Sequence, residues 1–313
     1  MKSHFTWIAL ALCTGICAWE LWFDAPVENA YLWWEFRWPR VLGGLMAGAT
    51  LALSGLFLQT LFRNPLAGPF LIGISPGATL AMALGLFGIE QYQGVQLSLN
   101  GQIALALLGA FAALALQLFL SRRQRSTESL LLIGMVLSFA FGAATDLLQN
   151  LASAERLKMF SLWNMGSFER LTLAQLPGLA ILLTSLMGLA FWRAAAMDSF
   201  LLGDTYAQSG GLSLKQMRGW LIAGGAAGAA WITALCGPIS FIGLVAPHIA
   251  RELLGSGSHR RLWIHSAIWG SFLALSADFL AHHLLPHHLL QVNAVSALIG
   301  APVLLYSLLR QRH

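Results

Sequence analysis

The amino-acid sequence predicts an all-α, polytopic membrane protein with about ten transmembrane helices, forming a single domain over residues 1–313. Composition is the first reason, since 57% of the residues are hydrophobic, 10% are charged and the mean hydropathy is +0.68. A soluble domain of this length contains far more charge. The second reason is that the apolar residues form runs of about 20, the helix length that crosses a hydrocarbon core of about 30 Å.

Short polar stretches separate the apolar runs. We predict membrane spans near 6–23, 41–61, 66–89, 101–120, 129–149, 172–192, 219–236, 240–254, 262–284 and 290–309. The first run lacks a small-x-small cleavage site, so we expect a retained helix rather than a signal peptide. The eighth run is short and is interrupted by Pro247 and His248. With one span set apart, spans 2–5 and 7–10 can form two inverted four-helix repeats in a bundle, as some transporters do.

The distribution of positive charge predicts the orientation. If both ends of the chain are cytoplasmic, only five of the 18 Lys and Arg residues lie outside: Arg37, Arg40, Arg156, Lys158 and Arg170. This asymmetry obeys the positive-inside rule. The net charge of +5 therefore reflects topology in a bilayer, and we expect no nucleic-acid partner.

Sequence features of catalysis or cofactor binding are missing. The sequence contains no G-x-x-x-x-G-K-[ST] loop, so any ATP and Mg²⁺ must be bound by a partner subunit. Nothing in the sequence assembles a nucleophile with a base, so we expect no enzyme. The three cysteines, Cys13, Cys17 and Cys236, lie in or beside apolar segments and are interpreted as small core residues rather than disulfides or metal ligands.

Three segments carry a family resemblance. They are RWPR (37–40) followed by GATLALSGLFLQTLFRNPLAGPFLIGISPGA (48–78), then LWNMGSFERL (162–171), then GPISFIGLVAPHIARELLGSGSHRRL (237–262) with the later ALSADFLAH and SALIGAP. In this order they resemble the FecCD-type permease family of ATP-binding-cassette importers for iron-siderophores, haem and cobalamin.

The resemblance implies a set of partners and a cargo class. It implies a homodimer, or a pair with a close homologue, with the pathway at the dimer axis. It also implies two cytoplasmic ATPase subunits, an extracytoplasmic substrate-binding protein and a location in the bacterial inner membrane. The expected cargo is an iron chelate, either siderophore or haem, with cobalamin as the alternative.

A polar segment near residues 197–217 is the predicted coupling segment. Its glycines can break it into two short helices joined by a sharp turn. It resembles the family segment that sits in a cleft of the ATPase, and the residues expected to transmit closure are Leu202, Gly203, Asp204, Ala207, Gly210 and Leu212. The alternative is an ordinary amphipathic connector.

Docking of the binding protein is assigned by resemblance to Arg37, Arg40 and His282. Arginines at the RWPR motif would pair with acidic residues on the binding protein and set register, whereas snorkelling to lipid headgroups is the alternative. His282 stands where the family has an arginine, which weakens the charge match because histidine is mostly neutral at pH 7. The family's E-L-P-V-G motif is also missing, and residues 289–293 read LLQVN.

A histidine-rich turn lies between spans 9 and 10. His282, His283, His287 and His288 are weak candidates for binding a metal or haem iron. The alternative is a polar interfacial turn, because the spacing of ligands in a loop does not define their geometry.

The translocation pathway is expected along spans 5 and 10, by resemblance. In span 5, Ser138, Gly142, Thr145, Asp146 and Gln149 place small or polar groups mainly along one helix stripe. Asn293 and Ser296 would extend this stripe from span 10.

The alternative from a different class is an ion-coupled secondary transporter. Such a protein would use carboxylates inside the membrane, and the candidates are Asp146 and Asp278. The other interpretation of both residues is a structural bond inside the bundle.

Overall fold

The computed structural model describes residues 4–23, 31, 33–90, 94, 96–121, 127–255, 257–284 and 290–310. Those residues form helices joined by short connections, with no strand among them. The helices are α1 His4–Ala18, α2 Trp38–Phe62, α3 Ile74–Ala83, α4 Leu99–Leu120, α5 Thr127–Asn150, α6 Ala154–Asn164, α7 Leu176–Leu201, α8 Asp204–Ser209, α9 Leu214–Cys236, α10 Ile242–Leu254, α11 His259–His283 and α12 Val292–Arg310.

Each predicted span coincides with helix, and the all-α class is confirmed. Within the described residues, six helices are long and apolar enough to cross a membrane: Trp33–Phe62, Leu99–Leu120, Glu128–Asn150, Leu173–Leu201, Leu214–Cys236 and His259–His283. Shorter apolar helices occupy Thr6–Trp22, Ile74–Ile89 and Val292–Tyr306. The count of ten crossings and the inverted repeats stay predictions.

The largest difference from the predicted boundaries is at span 6. Helix α7 continues past residue 192 to Leu201, although Arg193 and Asp198 are charged. Helix ends depend on backbone hydrogen bonding and capping, whereas the prediction followed hydropathy. A polar layer lies where α7 and α2 end and where α9 and α11 begin. We call this layer the inner end, because the positive-inside rule assigns it to the cytoplasm.

Helix α2 is the centre of the bundle. Nearly every residue from Ala47 to Leu61 is buried, and the helix packs against α11, α9, α10 and α7. Small residues permit this packing, because a Cβ at Gly55 would overlap the carbonyl oxygen of Gly243 in α10. In a membrane, close approach of helix backbones replaces the hydrophobic effect as the source of association.

Two breaks in helical structure follow the long central helices. After α2, Arg63 adopts a left-handed conformation with φ 48°, and Gly68 leads into a single turn at Pro69–Ile72. After α9, Gly237 and Pro238 end the helix, and Phe241 has φ 66°. Positive φ in a phenylalanine costs conformational energy and is retained only where the surrounding structure requires it.

The predicted coupling segment is simpler than expected. The structure contains one short helix, Asp204–Ser209, between the extended ends of α7 and α9, so the prediction of two short helices is wrong. Gly203 (φ 116°) and Gly211 (φ 81°) supply the two reversals of direction. The second predicted short helix is absent because residues 197–201 and 214–217 belong to the long helices.

Candidate functional site

The coupling segment is held to the inner end by one carboxylate. Asp204 accepts hydrogen bonds from Arg63 on one oxygen and from Arg218 on the other, the latter at 2.8 Å. Arg63 also donates to the carbonyl oxygen of Phe200 at 2.7 Å and stacks over its ring at 4.5 Å. Arg63, the C-cap residue that follows α2, thus joins the end of α7 to the beginning of α8.

The coupling segment exposes two large side chains and buries one small one. Leu202 is 67% exposed and Tyr206 is 57% exposed, whereas Ala207 is 1% exposed. Leu212 donates its backbone N–H to the carbonyl of Ala207 at 3.0 Å, which closes the turn at Gly210. A short, braced element with exposed apolar residues is suited to insertion into a groove of another protein.

A second contact braces the same end. Asp198, in the last turns of α7, accepts hydrogen bonds from the backbone N–H of His259 at 2.8 Å and the hydroxyl of Ser258 at 3.0 Å. The His259 ring lies 2.6 Å from the same carboxylate and 2.9 Å from the hydroxyl of Thr60. Helices α2, α7 and α11 are therefore tied together beside the coupling segment.

At the opposite end, called the outer end, Arg40 forms a buried ion pair. Its Nε donates to Asp278 at 2.7 Å and its Nη2 lies 3.8 Å from Glu20. Side-chain exposures are 15% for Arg40, 1% for Asp278 and 3% for Glu20. Arg37 differs, since it is half-buried and its Nη1 lies 3.4 Å from the carbonyl oxygens of Glu20 and Leu21.

His282 belongs to the same outer network. One ring nitrogen lies 2.8 Å from the backbone carbonyl of Asp278, and the other lies 2.8 Å from the carboxylate of Glu169. The hydrogen bond from His282 holds the pKa of Glu169 below its ordinary value; the charges of His282 and Arg40 add to this, and partial burial opposes it. This contact joins the 165–171 connection to the end of α11.

The histidine cluster does not form a ligand set among the described residues. His283 is exposed, lies 2.9 Å from the carbonyl of Phe279 and stacks on that ring. His287 and His288 fall outside the described residues. In the part of the chain that the structure describes, no group of three or more His, Cys, Asp or Glu side chains is placed to hold a metal ion.

The predicted pathway residues of α5 lie within an arc of about 100° on the helix, and this arc runs from the buried side to the exposed side. Their role in the pathway stays a prediction. Thr145 is buried and donates to the carbonyl of Phe141, whereas Asp146, about 100° around the helix, is exposed and accepts from Gln149 at 3.2 Å. Gly142 has open space where a Cβ would be. Ser138 turns inward and donates to the carbonyl of Phe70 at 3.1 Å.

A cavity of about 390 Å³ lies between the two helix breaks. Phe70 and Pro69 line one side of it, and Ser240, Phe241 and Asn293 line another. The amide oxygen of Asn293 accepts from the backbone N–H of Ser240 at 3.0 Å and from its hydroxyl.

Ser296 does not line this cavity, but its hydroxyl donates to the carbonyl of Ser240, which does, at 3.1 Å. Of the predicted α12 residues, Asn293 thus lines the cavity directly, while Ser296 and Ser138 contact lining residues, Ser138 through the carbonyl of Phe70.

Several residues of these sites were not predicted from sequence. Glu20 and Glu169 were missed at the outer end, and Arg218 and Asp198 at the inner end. Their partners lie far away along the chain, so no local spacing reveals them. The cavity had a weak signal, namely the Gly-Pro pair that follows both α2 and α9.

Sequence comparison identifies the family that these features belong to. Residues 5–310 match the sequence model of the FecCD transport family. The chain belongs to the FecCD transport family. Membership agrees with the resemblance of the motifs, and together with the apolar helices it indicates a multi-pass membrane protein of the permease class.

Three relatives in the FecCD family show its range. The chain is 36% identical to the hemin transport system permease protein HmuU of Yersinia pestis over 90% of this chain and 84% of the relative. It is 35% identical to the vitamin B12 import system permease protein BtuC of Citrobacter koseri, over 100% of this chain and 94% of the relative. It is also 35% identical to the Fe(3+) dicitrate transport system permease protein FecD of Escherichia coli, over 93% of this chain and 89% of the relative.

Solved structures agree with this family fold. A metal-chelate type ABC transporter in an inward-facing conformation superposes with a TM-score of 0.85 at 28% identity, covering 99% of both chains. PsaBC from Streptococcus pneumoniae shares the fold, with a TM-score of 0.63 at 13% identity and 94% coverage of both chains.

Proposed function

We propose that this chain is the transmembrane permease subunit of an ATP-binding-cassette importer that carries an iron chelate, siderophore or haem, across the bacterial inner membrane. Similarity over almost the whole chain to permeases named for hemin and Fe(3+) dicitrate carries the proposal. A separate ATPase subunit binds ATP and Mg²⁺, because the sequence has no phosphate-binding loop. Cobalamin is the second candidate cargo, favoured by the relative BtuC, which covers 100% of this chain.

The braced inner end supports a coupling role for residues 197–217. Asp204 joins the segment to α2 through Arg63 and to α9 through Arg218, so a push on α8 reaches two membrane helices. Leu202 stands exposed at the junction of α7 and α8. We assign the exposed apolar residues of the segment to contact with the ATPase and the ion pairs to transmission of its movement.

The outer network supports a revised view of docking. Arg40 and His282 already contact Asp278 and Glu169, so a binding protein that engages Arg40 must open this network. Arg37, half-buried at the beginning of the same span, is the better placed of the predicted docking residues. The exposed fraction of Glu169, 49% of its side chain, lies where a partner would meet the network.

Reconstitution with the partners tests the proposal. The chain would be co-reconstituted with its ATPase in lipid vesicles, and ATP hydrolysis measured with binding protein loaded with haem, ferric siderophore or cobalamin. We expect stimulation by one iron chelate. We also expect Leu202→Asp to abolish stimulation, and Leu151→Asp, at an equally exposed leucine of 68% between α5 and α6, to preserve it. Stimulation by cobalamin alone would show that cobalamin, and not an iron chelate, is the cargo. If the chain does not associate with an ATPase, the class of ATP-binding-cassette importers is excluded.

A further inference from the structure

An open groove of about 880 Å³ runs along the inner end between α4 and α9. Its deeper wall is apolar and contains Leu114 and Leu118 from α4 and Ile222 from α9. Its rim carries two cations, Lys215 and Arg218. This volume lies within the range of about 300–1,000 Å³ typical of pockets that bind organic ligands.

The rim is more positive than its ion pairs neutralise. Asp204 is shared by Arg63 and Arg218, so one carboxylate faces two guanidinium groups. Lys215 is exposed one turn before Arg218 and adds a further positive charge. The described charges around this rim therefore sum to an excess of positive charge that favours an anionic headgroup.

The groove spans the boundary between headgroups and hydrocarbon. Trp192 and Trp220 are exposed and pack edge-to-face, and the Arg193 guanidinium lies 3.9 Å from the Trp192 ring centre. Exposed tryptophans beside a cation are typical of the membrane interface. From Lys215 to Ile222 the groove descends about 10 Å along α9, at 1.5 Å per residue.

We propose that this groove binds one anionic phospholipid of the inner leaflet, with its phosphate at Lys215 and Arg218 and an acyl chain along Leu114, Leu118 and Ile222. The charge at the rim and the apolar wall below Trp220 favour a lipid over a soluble protein, since a soluble domain does not reach into the hydrocarbon. Lys215 belongs to the 197–217 segment that the proposed function assigns to the ATPase, so the lipid headgroup would lie beside that contact. Lipid binding itself goes beyond the transport function and can be measured without the ATPase or the cargo.

Lipid titration of the purified full-length chain tests the proposal by native mass spectrometry. Dioleoyl phosphatidylglycerol and dioleoyl phosphatidylcholine have the same acyl chains and differ in charge, and glycerol 1-phosphate supplies the phosphate without the chains. We expect preferential retention of phosphatidylglycerol and no displacement by equimolar glycerol 1-phosphate. Equal retention of both lipids, or displacement by glycerol 1-phosphate, would overturn the proposal.

Two variants separate the rim from the wall, each with a matched control. Lys215→Gln should weaken phosphatidylglycerol binding about fivefold, equivalent to about 1 kcal/mol for one cation near an anionic surface, whereas Lys158→Gln at the outer end should not. Gly219→Leu should fill the groove, because Gly219 lines it and has open space at its Cβ position. Gly188→Leu, at an exposed glycine of α7 with the same open space, should leave binding unchanged.

Fold integrity is checked by elution profile and melting temperature. If Gly219→Leu does not fold, the surface variant Lys215→Gln decides the proposal. Loss of binding that is equal in the controls would overturn it.

Discussion

The ion pair between Arg40 and Asp278 yields a quantitative prediction about the outer end. Its N–O distance is 2.7 Å and the two side chains are 15% and 1% exposed. At an effective dielectric constant of about 20, two unit charges at this distance attract by about 6 kcal/mol before the cost of desolvation. Removal of one partner from a buried pair costs about 3–5 kcal/mol, because the other charge stays buried and uncompensated.

The two single substitutions should differ. Arg40→Gln removes the guanidinium that pairs with both Asp278 and Glu20, so we expect a loss of about 3–5 kcal/mol in the free energy of unfolding. Asp278→Asn should cost less, because Arg40 keeps Glu20 at 3.8 Å. Arg37→Gln is the matched control and should cost less than about 1 kcal/mol, since Arg37 is half-exposed.

Reversible unfolding in mixed micelles, followed by tryptophan fluorescence, measures these differences. The double variant Arg40→Gln/Asp278→Asn completes a thermodynamic cycle, and we expect the two changes to be non-additive by more than about 1 kcal/mol, as for residues in contact. Additivity within about 0.5 kcal/mol, or an equal loss for Arg37→Gln, would refute the reasoning.

Two further predictions concern packing and pH. Gly55→Ala should lower the melting temperature, because the new Cβ overlaps the Gly243 carbonyl and overpacking costs about 1–3 kcal/mol, whereas Gly188→Ala, which meets open space, should not. The lowered pKa of Glu169 implies stabilisation that is fully present above the ordinary carboxyl pKa of about 4.3 and is lost as pH falls through the lower folded pKa. Melting temperatures measured from pH 6 to pH 3 should fall less steeply for Glu169→Gln, and parallel curves would show that the contact with His282 contributes nothing.

Hydropathy predicted the helical class and the approximate position of each span because both depend on local composition. It placed the end of span 6 at residue 192, whereas backbone hydrogen bonding carries α7 through Arg193 and Asp198 to Leu201. The glycines near Gly203 predicted a reversal of the chain correctly. They did not predict that one short helix, rather than two, would fill it.

The sites depended on pairings that sequence does not display. Arg40 and Asp278 are separated by 238 positions. The RWPR motif that contains Arg40 therefore gave no information about which carboxylate pairs with it. The stripe on α5 stays a prediction, and sequence did not show that Thr145 at one edge of it is buried while Asp146 at the other edge is exposed. Asn293 was predicted on the pathway, and its contact with Ser240 emerged only from the fold.

The energy source of transport is the most direct test of the account. Vesicles that contain the chain, its ATPase and trapped ATP would be supplied with loaded binding protein, and cargo uptake measured with and without a proton or sodium gradient. The account predicts uptake that requires ATP hydrolysis and persists when the gradients are dissipated. Uptake that follows an ion gradient and ignores ATP would contradict it and would make Asp146 and Asp278 candidates for ion coupling.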